Sequence, residues 1–371
     1  AALLLRDGQV PDLAPGGSRT TDGPRVALLT SNGIASACCD LACLTHDIFV
    51  TPLNIHFSVK DLVWIFNRLR ITVAICDSPD QLAQLLDIRR IAERPFDIYT
   101  LNACPSVGQD RIFMLDECRA QMDKTEIKEI LNRRPRRTMR EPTTVMFTSG
   151  STGRPKGVAF SQLNLVSKRF ARAAALPAVG RDEVLLCYLP LFHTFGRYLE
   201  MLGSIFWGGT YVFAGNPSLD TLLSQFQEVR PTGLISVPVR WVQINERAQA
   251  LAQARTDDTS VGEILRDLVG DRLYWGLSAA GYLDPRVFRF FHRHGVSLCS
   301  GFGMTEGTGG LTMTPPNDYV EGSVGIPLPG VKVRFGEQDE LQIAGVYIAR
   351  YLPEEAPAGC LRVADEGSDD F

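Results

Sequence analysis

From Val26 onward, short apolar runs alternate with longer stretches of mixed polarity. Residues 26–30 (VALLT) read as a strand, 35–45 as a helix and 49–54 (FVTPLN) as an extended segment. A helix over 62–69 and a strand over 72–75 (TVAI) come next. A charged helix falls within 123–142, and VMF at 145–147 has the continuous apolar character of a buried strand end. Ser161 is placed to cap a helix that runs to about residue 175. The second half repeats the rhythm, with strands at 184–188, 210–213, 233–237, 273–277 and 296–299. Helices are expected at 196–206, 219–228 and 285–293, with an amphipathic charged region over 246–266. Strand alternating with helix predicts an α/β protein built on parallel sheet.

Composition narrows this picture. A chain of 371 residues, 45% hydrophobic and 22% charged, can bury a large core and is expected to form two or more lobes. Net charge is −4 and the sequence pI about 5.8, which argues against nucleic acid as the main partner. Nine scattered cysteines contain no C-x-x-C pair, so neither a zinc site nor a disulfide framework is indicated and a reducing, cytoplasmic setting is the default. The most apolar stretch, 201–214, is short and broken by Gly203, Gly208 and Gly209, so no membrane span is expected. Peripheral association with a membrane surface stays open. Arg133-Arg134-Pro135-Arg136-Arg137 reads better as a solvated connector than as a lipid-surface signal. The first 24 residues, starting at Ala1, are rich in glycine and proline without periodicity and read as a tail.

Ten residues stand apart from all of this: TSGSTGRPKG, from Thr148 to Gly157. Gly150, Gly153 and Gly157 permit positive φ and close backbone approach, so several N–H groups can converge on one anion. Thr148, Ser149, Ser151 and Thr152 add hydroxyl donors, and Lys156 adds a point positive charge. Such a loop suits a polyphosphate. A mere connector has no need of a lysine boxed between Pro155 and Gly157. The P-loop of kinases and GTPases is excluded by spacing, because Pro155 precedes Lys156 and Gly157 follows it where that motif needs Gly and Ser or Thr.

The ten residues match, at every fixed position, the T-S-G-[ST]-T-G-x-P-K-G phosphate loop of the acyl-adenylate-forming enzymes. Tyr188-Leu189-Pro190-Leu191-Phe192-His193 resembles that family's L-P-L-x-H segment, and Ser278-Ala279-Ala280-Gly281-Tyr282 stands where it has S-G-G-A-P. Gly301-Phe302-Gly303-Met304-Thr305-Glu306 is similar to G-Y-G-x-T-E, and Gly322-Ser323-Val324-Gly325-Ile326-Pro327 to G-S-V-G-x-P. The resemblance covers roughly residues 24 to 351 and is strongest to long-chain fatty acyl-CoA synthetases. It implies two stacked α/β sheet subdomains over 25–330, with the start of a small β subdomain over 331–371.

The implied reaction joins a carboxylate to the α-phosphorus of ATP, so positioning and electrostatic stabilisation should dominate. By resemblance, the 148–157 loop with Lys156 holds the β- and γ-phosphates, Thr305 contacts the α-phosphate, and Glu306 ligates Mg²⁺. Phe302 would pack on adenine where the family has Tyr; Ser278, Ala279, Ala280, Gly301, Gly303 and Met304 would line the nucleotide pocket. His193 would gate the carboxylate site. Amino-acid-activating relatives place an Asp after a Phe here, whereas this chain has Phe192-His193, so an apolar acid is favoured. The L-P-L-x-H-x-x-E-R pattern of long-chain synthetases is kept in part, with Arg197 and Glu200 present and Gly196 in place of Glu. The 201–213 stretch either borders an acyl tunnel or is simply a buried helix and strand.

The expected substrates are a medium- or long-chain fatty acid, ATP and coenzyme A. Transfer to an acyl carrier protein and a non-catalytic binding module are the alternatives. Asp339-Glu340-Leu341, Gly345 and Tyr351 resemble the family's G-E-L-x-x-x-G and G-Y, and Asp370-Phe371 falls just short of its T-G-D and C-terminal lobe. The expectation is therefore a fragment of a longer enzyme, turning over poorly as it stands.

Overall fold

The computed structural model describes residues 3–4, 23–103, 111–132, 138–148, 153–215, 217–316 and 318–353. They fall into two compact units: one draws on residues up to 162 together with 350–353, the other on 163–349.

In the first unit, β1 (Arg25–Leu29) pairs in parallel with both β2 (Phe49–Pro52) and β3 (Val73–Cys76). Strands β4 (Asp97–Thr100) and β5 (Ile112–Met114) extend one side. On the other side lie β6 (Pro142–Thr148), β7 (Lys156–Ser161) and β17 (Arg350–Tyr351), giving the order β17-β7-β6-β2-β1-β3-β4-β5. Between them run α1 (Ile34–Thr45), α2 (Val59–Leu69), α3 (Pro79–Ile91), α4 (Leu115–Ala120) and α5 (Lys124–Leu131). Local rules explain the helix starts: Ser58 Oγ accepts from Asp61 N at 3.1 Å, and Ser78 does the same for Gln81 ahead of Pro79 at the first turn. Strands covered on both faces read as unbroken apolar runs, as Val26–Leu29 do.

The second unit holds α6 (Gln162–Ala175), most of which belongs to it, and a seven-stranded sheet. Strands β8 (Val184–Cys187), β9 (Thr210–Phe213), β10 (Gly233–Ser236), β11 (Trp275–Ser278) and β12 (Ser297–Met304) are parallel. Then β13 (Gly309–Met313) and β14 (Ile326–Pro327) close that edge in antiparallel fashion. The order is β14-β13-β12-β11-β10-β8-β9, so strand order reverses between β8 and β10. Helices α7 (Leu202–Trp207), α8 (Leu219–Val229), α9 (Pro238–Ala254), α10 (Val261–Val269) and α11 (Pro285–Arg293) complete the alternation. A small hairpin, β15 (Val331–Phe335) with β16 (Leu341–Gly345), follows.

The α/β expectation holds, with four local corrections. The sheet is not parallel throughout, because β6 and β7 form an antiparallel hairpin. Ser161 is the last residue of β7 and the helix starts at Gln162. The strand expected at 296–299 runs on to Met304, so the G-F-G-M segment is itself strand. The helix expected at 196–206 opens as a π-helix over Phe195–Met201 before continuing as α7. Helix α3 and strands β4 and β5 carried no strong periodic signal.

Candidate functional site

Open α/β sheets bind ligands beyond the carboxyl ends of their strands, near a reversal of strand order. In the second unit a cavity of about 160 Å³ sits at that place. His193, Thr194, Phe195 and Leu199 follow β8; Leu277, Ala279 and Ala280 end β11; Gly301 to Thr305 end β12, and Thr308 to Gly310 with Thr312 enter from β13. Segments scattered between residues 193 and 312 thus share one recess, and those at 193, 279–280 and 301–305 were singled out by motif.

Backbone geometry explains several residue types there. A register shift between Phe302 and Gly303 bulges β12 against β13. A Cβ on Gly303 would lie 2.3 Å from the Gly309 carbonyl oxygen, so no side chain fits. The bulged strand leaves the Phe302 ring 38% exposed at the cavity. Thr305 opens a single 3₁₀ turn ending at Gly307, and the Glu306 carbonyl accepts from Ala349 N at 2.7 Å. Thr305 lines the cavity; Glu306, half-buried, is not among its lining residues. Among the described residues no cluster of three His, Cys, Asp or Glu side chains could cage a metal. Mg²⁺ bound through substrate phosphates needs only one or two carboxylates, so a lone Glu306 fits that mode.

Ser278 ends β11 buried, with its Oγ unpartnered among the described residues. Ala280 has φ +66, the left-handed region that alanine avoids. His193 is solvent-accessible but recessed, and desolvation holds its imidazole below the ordinary value. Its Nδ1 accepts from Phe195 N at 3.2 Å, which leaves Nε2 as the protonated nitrogen of the neutral ring. Gly196 is explained by packing: a Cβ there would meet the Leu189 and Pro190 carbonyl oxygens, each at 2.5 Å. Arg197 and Glu200 are fully buried in the π-helix, where the Arg197 guanidinium lies 5.4 Å from the Tyr198 ring centroid. Trp207 ends α7 buried and the 201–213 stretch forms helix and strand; none of its residues lines the cavity.

In the first unit, Thr148 ends β6 directly opposite Lys156 at the start of β7, so the loop is the turn of a hairpin. Ser149, Gly150, Ser151 and Thr152 lie outside the described residues, as does the Arg133–Arg137 cluster. Gly153 has φ +84, and a Cβ at Gly157 would come 2.6 Å from Leu352 Cδ1. The lysine therefore begins a strand, unlike the helix-opening lysine of the P-loop.

Sequence reasoning missed the basic wall. Lys168, Arg169 and Arg172 project from α6 to line the cavity and are 1%, 6% and 2% exposed. Lys168 Nζ donates to the Gly310 carbonyl and lies 4.1 Å from the Tyr347 ring centroid. Arg172 Nη1 approaches Met313 Sδ at 3.3 Å, but among the described residues its Nε has no partner, nor do Arg169 Nε and Nη1. Burial, reinforced by mutual repulsion at Lys168 and Arg169, depresses all three: Arg169 to about 9, Arg172 to about 10 and Lys168 well below its usual value. Their spacing of one and four positions on a helix was the available signal; read by polarity alone, it marks a solvent face.

Comparison with known proteins agrees with the motifs. The sequence profile of the family described as AMP-binding enzyme matches residues 19–346. The long-chain-fatty-acid–CoA ligase FadD15 of Mycobacterium bovis is 23% identical over 390 residues, covering 94% of this chain and 64% of its own length. Long-chain-fatty-acid–CoA ligase 5 of Mus musculus is 24% identical over 352 residues, covering 84% of this chain and 50% of the relative. The chain thus spans between half and two thirds of these relatives. Among solved structures, apo MatB from Rhodopseudomonas palustris aligns over 90% of this chain and 62% of its own, with TM-score 0.71 and 21% identity. The o-succinylbenzoate coenzyme A synthetase MenE of Bacillus subtilis, in complex with ATP and magnesium, covers 90% of this chain and 63% of its own, with TM-score 0.65 and 18% identity. No helix among the described residues is long and apolar enough to cross a membrane.

Proposed function

The chain belongs to the AMP-binding enzyme family, and from that premise we propose that it activates a fatty acid of medium or long chain as acyl-adenylate and passes it to coenzyme A, in a cytoplasmic setting. One observation carries the reading: three separate motif segments, at 193–199, 277–280 and 301–305, line a single cavity at the carboxyl ends of parallel strands.

ATP supplies the electrophilic α-phosphorus and the pyrophosphate leaving group. The protein's task is then to hold two anions together and absorb charge on the departing group. The hairpin turn with Lys156 takes the outer phosphates, its glycines leaving amides free to converge. Thr305, at the start of its 3₁₀ turn, offers a hydroxyl and amide to the α-phosphate. Glu306 binds Mg²⁺ as a hard oxygen ligand. The exposed Phe302 ring gives adenine a stacking face, and 278–280 offer it backbone and the unpartnered Ser278 hydroxyl. His193, neutral and recessed, donates from Nε2 to the acid's carboxylate and excludes water from it. The fatty class is supported by the names of the sequence relatives and by the absence of an Asp after Phe192.

Pyrophosphate release measured with a fatty acid and Mg-ATP tests this. Acid-dependent release is expected, and Thr305→Val should lower it about a hundredfold, as loss of one transition-state donor does. Release that ignores the added acid, or that Thr305→Val leaves intact, would overturn the reading.

A further inference from the structure

The basic wall is more than adenylation of a plain fatty acid requires. Two guanidiniums and an ammonium line one small recess, no acidic side chain lines it with them, and three of their N–H-bearing nitrogens have no partner among the described residues. Glu200, one helix away, does not offset them, since burial pushes its carboxyl well above the usual range and favours the neutral acid. Buried cations without counter-ions are destabilising by several kcal/mol in order of magnitude, so a chain that retains three has something to pair with them. The chain also makes room for them: a Cβ at Gly310 would sit 2.2 Å from Arg172 Nη2. The recess keeps an apolar side as well, from Phe195, Leu199, Leu277, Phe302 and Met304.

We propose that Lys168, Arg169 and Arg172 form a subsite for a second anionic group on the acyl substrate, so that the acid activated is a dicarboxylic acid or a chemically equivalent dianion. This rests on the adenylation reading and narrows its substrate. The reacting carboxylate and α-phosphate meet Thr305 and His193; the apolar side takes the methylenes; the guanidiniums, planar and fork-shaped, take the distal carboxylate in two-pronged contact. Lys168 is held against Gly310 and Tyr347 and works as a point charge beside them. Arg169 and Arg172 are thereby specificity-determining residues, with no part in the chemical step.

The test is calorimetric titration of the chain with two non-hydrolysable acyl-sulfamoyl adenosines of equal acyl length, one ending in a carboxylate and one in a methyl group, beside AMP alone. The carboxylate-ended analogue should bind at least about tenfold tighter, the size of a buried charge-assisted hydrogen bond. Arg169→Gln and Arg172→Gln should erase that preference while changing AMP affinity less than about threefold, and Arg172→Lys should restore part of it. Equal affinity of the two analogues overturns the proposal, and this comparison needs no variant. Equal weakening of AMP by Arg169→Gln also overturns it, by assigning the cations to the nucleotide phosphate. A variant that melts lower yet keeps the preference shows a structural role and overturns it likewise. Failure of every adenylate to bind removes the adenylation reading itself, and the subsite with it.

Discussion

Helices α2 and α6 carry similar letters and bury opposite ones. In α2, Leu62, Ile65, Phe66 and Leu69 face the core, while Lys60 and Arg68 are exposed. In α6, Lys168, Arg169 and Arg172 are inside, while Val166 is 42% and Phe170 63% exposed. Phe170 meets Phe206 of α7 edge-on at 5.1 Å, so the apolar outer face continues onto a second helix. The first arrangement follows from the hydrophobic effect alone. The second opposes it, and burial of charge without partners persists in proteins where a ligand completes the site. Elsewhere in the same unit a buried acid is fully satisfied: Glu183 accepts from Thr232 Oγ1, Tyr274 OH and Trp275 Nε1. Among the described residues of this unit, Arg169 and Arg172 are the basic residues that leave buried donors without a partner, and both line the cavity.

The largest expected effect tests the conventional helix. Leu62→Ala removes a fully buried side chain from the core formed with Leu29, Phe49 and Ile65, and should lower unfolding free energy by about 3 kcal/mol in denaturant titration. A loss under about 1 kcal/mol would mean that α2 is no better packed than α6, and the contrast would fail.

The inverted helix should respond with the opposite sign. Arg169→Met keeps the bulk and removes the unpaired cation, so it should stabilise the unliganded chain by about 1–2 kcal/mol. The gain depends on pH in a direction set by linkage. The Arg169 guanidinium is depressed to about 9 in the folded state by burial and by its neighbour Arg172, well below its ordinary value. Above pH 9 the folded state sheds the proton that the unfolded state keeps, so wild-type stability rises there relative to the variant. The advantage of Arg169→Met should be full at pH 7 and smaller at pH 10, read as the gap between two thermal melts. A gap that stays constant, or a variant that melts lower at pH 7, would show that Arg169 holds the fold together.

How much of this was legible depended on which physics each position obeys. Most parallel strands of the two sheets, β4 and β5 excepted, were readable because parallel strands buried on two faces are continuous apolar runs. Glycine, hydroxyl and charge at fixed spacing marked out 193, 279–280 and 301–305, segments that line one cavity, and the structure explains Gly303 and Gly196 by sterics. The basic wall was not readable, since polarity patterning assigns Lys168, Arg169 and Arg172 to solvent and only tertiary packing reverses that. Helix α3 was missed because its apolar stripe is weak: Gln81 is buried and Ile91 is 63% exposed. The π-turn over Phe195–Met201 was missed because its sequence pattern does not differ from that of the α-helix that continues it.

The smallest effect sits at the cavity rim, where local preference yields to the site on the scale of one residue. Ala280 holds φ +66 at an exposed position, between the unpartnered Ser278 and the start of a turn. Left-handed backbone costs a non-glycine residue about 1–2 kcal/mol, and Gly at the same place gives back part of that through its freer unfolded chain. Ala280→Gly should therefore stabilise by about 0.5–1 kcal/mol, measured by the midpoint of urea unfolding at unchanged slope. It should also leave the affinity for AMP intact, because the substitution removes one methyl group and no polar atom. Should Ala280→Gly destabilise, the methyl group would be making a contact worth more than the strain. Ala280 would then belong with the close-packed residues of α2, and the boundary between core and site would have to be drawn on the other side of it.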